Sequence, residues 1–287
     1  VRWRSAEDVP PAPGFINSPY DPDARDGTKR ETAWTGDKGH VTDTCDDETP
    51  NLITAVTPPP ATTSDCAMLP TMQAHLATRP LTPRAQSVDV GSVTADHLWT
   101  SRTEHDRDLI ASAMHDRSWQ GQVGNGFAAA QLVIDWDAQY AICPQGQRSV
   151  VWMERPDRHG HPTVRIAFST PVCGACARRA DCPRAATAPR ALRIRERDHS
   201  TALEAARVRQ QTEDFNIYAR RAGSEGTIAQ GTHTGDLRRS RSIGLVQTRL
   251  MPLLLAAAIN FRRVAAWFAD IPRSRARPSA FAALAAS

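Results

Sequence analysis

The sequence predicts an α/β fold interrupted by a small β-rich insertion, on three observations. Strand-like and helical runs alternate through the first half, the pattern of a sheet with crossover connections. From Gln131 the pattern changes to short strand-like runs between Gly/Pro turns. That second stretch ends in a cluster of cysteines. The chain has 287 residues, 40% of them hydrophobic, which is enough for one large domain or two small ones with a packed core.

The elements follow in order. Residues 1–30 are rich in Pro, Asp and Arg and lack periodicity, so they read as an irregular lead-in with SPYDPDARDG forming turns. Residues 31–130 read as the first part of the core. GHVTDTC and NLITAVT are strands joined by DDETP, followed by the Pro/Thr loop TPPPATTSD. Ala67 to Thr78 is a helix with Asp65 as its N-cap. RAQSVDVGS is a short strand ending at a glycine, Asp96 to His105 a helix, and DLIASAM a short apolar run compatible with either state. Residues 131–199 form the insertion, with strands in QLVIDWDAQYAICP, SVVWME and TVRIAFST. Residues 200–271 are helical: one long helix from about Ser200 to Ala222 and a second, basic and apolar, from about Gly244 to Ala269. Residues 272–287 are a loose basic tail.

The net charge of +4 hides an uneven distribution. Residues 1–140 carry 11 Lys+Arg against 20 Asp+Glu, and residues 141–287 carry 24 against 11. An acidic half joined to a basic half suits a polyanion held near carboxylates. The opening VRWRSAEDVP has no apolar core of a secretory signal. The most apolar stretch, Leu250 to Phe261, is shorter than the roughly 20 residues of a membrane span. The expectation is a cytoplasmic protein with no membrane contact.

Six cysteines are too few for a disulfide scaffold. Cys143, Cys173, Cys176 and Cys182 have the spacing C-x29-C-x2-C-x5-C, and the central C-x2-C lets two thiolates grip one ion from a tight turn. The expectation is a structural Zn2+ in a zinc-ribbon-like insertion. Arg148, Arg178, Arg179, Arg184, Arg190, Arg193, Arg195 and Arg197 surround the cluster and suit contact with a phosphate backbone.

Two carboxylates stand out. Asp89 follows a short strand in SVDVG, and strand C-termini in α/β sheets gather functional side chains. Tyr218, Arg221 and Glu225 are spaced i, i+3, i+7 and so share one stripe of a helix. Arg238, Arg239 and Arg241 follow closely. A carboxylate among guanidinium groups suits metal-dependent phosphodiester chemistry, with the carboxylate on Mg2+ and the arginines on the strand.

These residues, taken in order, resemble a family. YDPDAR, then W-x-G-x-K-x-H (Trp34, Gly36, Lys38, His40), then LITAVT-x-PPATT-x-D, then VDVG, resembles bacterial insertion-sequence transposases of the DDE type. Tyr218-x2-Arg221-x3-Glu225-G-T matches the Y-x2-R-x3-E signature of one group. The Cys-rich insertion and the closing GLVQTRLMPLLLAAAINFRRVAAW, with Asn260 before a basic turn, are similar to one branch of it. The resemblance covers roughly residues 15–270.

The resemblance implies a ribonuclease-H-like core with a mixed sheet, in which three carboxylates bind two Mg2+ ions and DNA strands are cleaved and transferred. Asp89 would be the second acidic residue and Glu225 the third. Tyr218 and Arg221 would support Glu225 or contact DNA, and Arg238, Arg239 and Arg241 would hold phosphate. The implied partners are transposon ends and target DNA, with a homo-oligomer on DNA and a nucleoid-associated, bacterial, cytoplasmic setting.

The chain departs from the family at several points. No Asp-bearing strand precedes YDPDAR, and Asp26 in DGT lies after it, so the first catalytic Asp is expected upstream of Val1. Asp37 and Ser92 stand where the family has Tyr, and a charge at a packed aromatic position costs stability. The expectation is a truncated and inactive copy. The alternative is a non-catalytic, zinc-stapled DNA-binding protein.

Overall fold

The structure, a computed structural model, describes residues 5–8, 10–29, 31–79, 82–89, 93–113, 115–116, 118–182 and 187–272. Gly91, Ser92, Arg184 and all but the first residue of the basic tail lie outside these. The chain divides into two compact units, residues 1–63 with 222–287 and residues 64–221.

The first unit is built from both ends of the chain. Strand β1 (Arg25–Lys29) pairs antiparallel with β2 (Thr32–Gly36). The lead-in therefore contains a strand where the sequence suggested turns. Gly27 faces Trp34 across this hairpin, and a Cβ there would come within 2.5 Å of the indole. Only glycine lets that ring lie flat on the neighbouring strand. Strand β3 (His40–Asp43) pairs antiparallel with β4 (Ile53–Thr57), as the GHVTDTC and NLITAVT runs predict.

This unit's helices come from the far end of the sequence. Helix α6 (Ala222–Gly235) and helix α7 (Leu245–Phe268) pack together, and α7 packs on β4. A Cβ on Gly235 would meet Leu255 of α7 at 2.5 Å, so the glycine sets how closely the two helices approach. Ala256, Ile259, Asn260 and Arg263 share one face of α7 by their i, i+3, i+4, i+7 spacing. Ala256 and Ile259 are buried, while the Asn260 amide accepts from Ile53 N at 2.8 Å and donates to Ile53 O at 2.9 Å. Asn260 thus acts on β4 as a neighbouring strand would, satisfying both backbone groups of one residue.

The opposite face of α7 is also apolar, with Val246, Leu250, Leu254, Phe261 and Phe268 exposed. The helix matches the one predicted from about Gly244 to Ala269 and extends beyond the apolar run from Leu250 to Phe261, and by length and composition it could cross a membrane. Its N-terminus is satisfied by the YDPDAR segment. Asp21 accepts from Gly244 N and Asp23 from Leu245 N, both at 3.0 Å. These carboxylates meet the amide groups and positive dipole end that a helix start exposes.

The second unit has two cores. Helix α1 (Asp65–Ala77) is capped by Ser64, whose hydroxyl accepts from Ala67 N, rather than by Asp65. Strand β5 (Ala85–Val88), helix α2 (Ala95–His105) and strand β6 (Asp108–Ala111) form a strand–helix–strand unit with β5 and β6 parallel. The ambiguous DLIASAM run is therefore a strand at its start. Leu69, Val93, Leu98, Leu109 and Ala111 make this core. A short helix α3 (Trp119–Val123) then leads to a hairpin of β7 (Val133–Asp135) and β8 (Tyr140–Ile142).

The rest of the insertion is a three-stranded antiparallel sheet in the order β11–β10–β9. Its strands are β9 (Val151–Glu154), β10 (Thr163–Ala167) and β11 (Ala191–Arg195), with short helix α4 (Thr170–Gly174) between the last two. Leu132, Ala141, Val164, Ile166 and Phe168 form its core. Helix α5 (Arg197–Arg209) returns to pack on α2.

Two expectations are corrected. The architecture is mixed α/β, with helices and small sheets, as the sequence predicts. However, the strands of the described residues form five small separate sheets instead of one mixed sheet. The long helix from Ser200 to Ala222 is broken into α5, a 3-10 helix at Glu213–Arg221 and α6. Tyr218 and Arg221 therefore lie on the 3-10 segment and Glu225 on α6, and the single stripe does not exist.

Candidate functional site

Glu225 sits in the first turn of α6 and is exposed. Its two polar neighbours fix the turn. Ser224 Oγ donates to Asp43 Oδ1, and Thr227 Oγ1 donates to Asp43 Oδ2 at 2.6 Å. At about 100° per residue, Ser224 lies about 100° and Thr227 about 160° around the helix from Glu225. The Asp43 side of α6 is therefore the inward side, with Thr227 only 3% exposed, and Glu225 points out.

Arg263 of α7 completes this arrangement. Its Nη2 donates to Thr227 Oγ1 at 2.8 Å and to Gln230 Oε1 at 3.1 Å, and its Nη1 to Asn51 O at 2.9 Å. A half-buried carboxylate thus receives two hydroxyl donors, with a guanidinium one hydroxyl away. This is the satisfaction a desolvated anion requires. The sequence reading missed Asp43. Only the hydroxyls on either side of Glu225 hinted at a partner.

Arg238, Arg239 and Arg241 lie exposed in the connection between α6 and α7. Their guanidinium groups are presented to solvent in a form suited to phosphate oxygens.

In the second unit, Asp89 directly follows β5 and is exposed, at the strand end where the sequence placed it. The 3-10 segment carrying Tyr218 and Arg221 packs beside β5 and β6. Phe215 stacks on Tyr218 at 4.8 Å between ring centroids, and the Arg221 guanidinium lies 5.5 Å from the Tyr218 ring. The segment that carries Tyr218 and Arg221 therefore packs beside the strand that Asp89 follows, while Glu225 belongs to the other unit. Among the described residues, no group of three or more His, Cys, Asp or Glu side chains is arranged to hold a metal ion. Among the described residues, no three-carboxylate set of the kind that two Mg2+ ions need is assembled.

The four cysteines are free thiols, and among the described residues they do not form a group that could hold a metal ion, so the expected zinc site is not seen. Cys143 and Cys173 pack against the insertion core. Burial pushes the Cys182 thiol up; Arg190 opposes this, and Cys173, Cys143 and Cys176 push it further up. Tight turns present them: Gly146 N donates to Cys143 O at 2.8 Å, and Arg179 N to Cys176 O at 3.0 Å.

A polar junction that the sequence did not reveal links the insertion to α2 and α5. Asp96 takes Arg195 at 3.3 Å, His199 at 3.4 Å and His161 at 3.5 Å. An open groove of about 480 Å³ is lined by Trp136, Trp152, Glu154, Arg155, Glu196 and Arg197, among others. None of the sequence-selected carboxylates lines it, so concavity does not mark their position.

Asp37 bears out the cost assigned to it. Burial first, then the Asp21 and Asp23 carboxylates, raise its pKa from 3.8 to about 6, against the pull of Arg249. The carboxylates that cap α7 therefore also make Asp37 unfavourable as an anion. Its folded pKa lies above its unfolded value, so its contribution is fully present below 3.8 and is lost as pH rises through about 6.

Residues 142–265 match the family profile described as Transposase DDE domain. No curated protein and no solved structure matches the chain. The matched span holds the four clustered cysteines, Tyr218, Arg221, Glu225 and the Arg238–Arg239–Arg241 group, and it begins after Asp89. The match covers less than half of the chain and supports a transposase role.

Asp37→Asn is expected to raise stability at pH about 7.5 by on the order of 1 kcal/mol, a figure reduced for the group's solvent exposure. The gain should vanish near pH 4, roughly the unperturbed carboxylate pKa. Urea denaturation at both pH values checks this, and an equal shift at both would contradict it.

Proposed function

We propose that the chain is an insertion-sequence transposase that binds transposon ends and target DNA and carries out strand cleavage and transfer. The observation that carries this reading is the position of the Transposase DDE domain match, which spans Glu225 on its fixed turn. In this reading Glu225 presents a carboxylate outward from α6. Arg238, Arg239 and Arg241 hold phosphates beside it in sequence. Asp89 offers the second carboxylate at the end of β5, with Tyr218 and Arg221 on the adjacent segment.

The resemblance brings Mg2+ with it, held by Asp89, Glu225 and a further carboxylate. Because the described residues do not gather such a set, no step is assigned to the metal. Catalysis by this copy is accordingly expected to be weak, and the chain is expected to act as an assembly of copies on DNA.

A second reading rests on the C-x29-C-x2-C-x5-C spacing of four cysteines within an arginine-rich stretch, although among the described residues they form no group that could hold a metal ion. In it the chain binds DNA without cutting it, and Cys143, Cys173, Cys176 and Cys182 hold one structural zinc. The donor chemistry suits a closed thiolate site.

Two measurements test these readings. Cleavage of a terminal-repeat DNA in Mg2+ or Mn2+ should fall by about 100-fold or more in Glu225→Gln. Cleavage unchanged by that substitution overturns the role of Glu225. DNA binding without any cleavage selects the second reading. Elemental analysis of protein purified under reducing conditions should find about one zinc per chain. A folded chain without zinc refutes the thiolate site.

A further inference from the structure

The outer face of the three-stranded sheet carries an electrostatic conflict. Arg165 of β10 lies directly opposite Arg193 of β11, and Met153 of β9 lies opposite Arg165 on its other side. All three side chains are exposed. Their neighbours along the strands, Val164, Ile166, Leu192 and Ile194, point the other way into the insertion core. On β10 only Arg165 is exposed, with Thr163, Val164, Ile166 and Ala167 buried on either side of it, so the presented surface is the short row of Met153, Arg165 and Arg193.

Strand parity assigns Val151, Thr163, Ala167, Ala191 and Arg195 to the same outer face, so no carboxylate belongs to it. Arg195 is already engaged by Asp96 and lies 4.0 Å from Asp157. Among the described residues, no hydrogen bond or ion pair reaches Arg165 or Arg193. Like charges directly opposite on paired strands repel, with Cβ atoms about 5 Å apart. A bound polyanion removes that repulsion.

We infer that this face is a DNA-contact surface, with Arg165 and Arg193 gripping the phosphate backbone of one strand. The inference rests on the transposase reading for its choice of DNA, but not on cleavage. The sheet is a rigid platform, and two guanidinium groups from paired strands diverge to meet successive phosphates with charge-assisted hydrogen bonds. Met153 completes the row as a flexible apolar surface beside the sugars. Phosphate contacts of this kind carry no sequence information of their own. The surface lies in the second unit, and so adds to the Arg238–Arg239–Arg241 connection of the first.

The test uses the full chain and a labelled DNA duplex of about 30 base pairs and arbitrary sequence, titrated from about 50 to about 200 mM salt. Arg165→Gln/Arg193→Gln should reduce the slope of log affinity against log salt by about 2 and weaken binding at the lowest salt by about 10-fold or more. Its melting temperature should be equal or higher, because a repulsion has been removed. Arg102→Gln/Arg207→Gln makes the same charge change at arginines paired with Asp108 and Glu204, and should leave the slope unchanged.

An unchanged slope in a folded Arg165/Arg193 variant overturns the inference, as does an equal loss in the control. An RNA duplex bound more tightly than DNA, and losing more on substitution, also overturns it. A chain that never cleaves DNA but loses the slope upholds this surface while the catalytic reading fails. Glu225-dependent cleavage with an unchanged slope rejects the surface alone.

Discussion

The carboxylate of Asp43 is the constraint on which the Glu225 region depends. It receives hydroxyl donors from Ser224 and Thr227, and Thr227 in turn accepts from Arg263. A strand near the start of the chain, the first turn of α6 and the middle of α7 thus meet at one anion. Removing the acceptor would take from Ser224 and Thr227 their charged partner, leaving the Thr227 hydroxyl the Gly223 carbonyl at 3.2 Å, and hydrogen bonds to charged groups are worth more than neutral ones. The same contacts set the rotation of α6 and so decide that Glu225 faces outward.

Around this anion, the unit is held by polar pairing more than by bulk apolar packing. Asn260 satisfies Ile53 on β4, Arg263 reaches the Asn51 carbonyl, and Asp21 with Asp23 meets the amide groups at the start of α7. The cost of this scheme falls at Asp37, which shares its surroundings with the capping carboxylates and has only Arg249 to offset them. The second unit follows different physics. Two apolar cores are joined at Asp96, where an arginine and two histidines from the insertion and α5 converge.

Much of the local structure was legible in the sequence, because it rests on local signals. The β3–β4 hairpin, α1, α2, β5 and the strands β7 to β10 follow from alternation and from Gly/Pro punctuation, whereas β11 does not. The position of Asp89 after β5 follows from VDVG. What the sequence hid depends on contacts between distant residues. The break after α5 puts Tyr218 and Arg221 on a 3-10 turn, which spacing alone does not separate from an α-helix. The β1 strand is fixed by Trp34 lying over Gly27, not by its own composition. Asp43 looked like one acidic residue among several in HVTDTCDDE, and only its partners from α6 distinguish it. The arginine pair on β10 and β11 was invisible as a pair, since register is a property of the folded sheet.

The claim at the centre of this account is that Asp43 holds the turn that presents Glu225. Hydrogen exchange of the backbone amides in residues 222–230 tests it most directly, comparing the native chain with Asp43→Ala. The account predicts that this segment alone exchanges faster, by about 10-fold or more, because the opening free energy of a local unit falls when its anchoring contact is lost. Unchanged protection of the segment in a folded Asp43→Ala chain would contradict it.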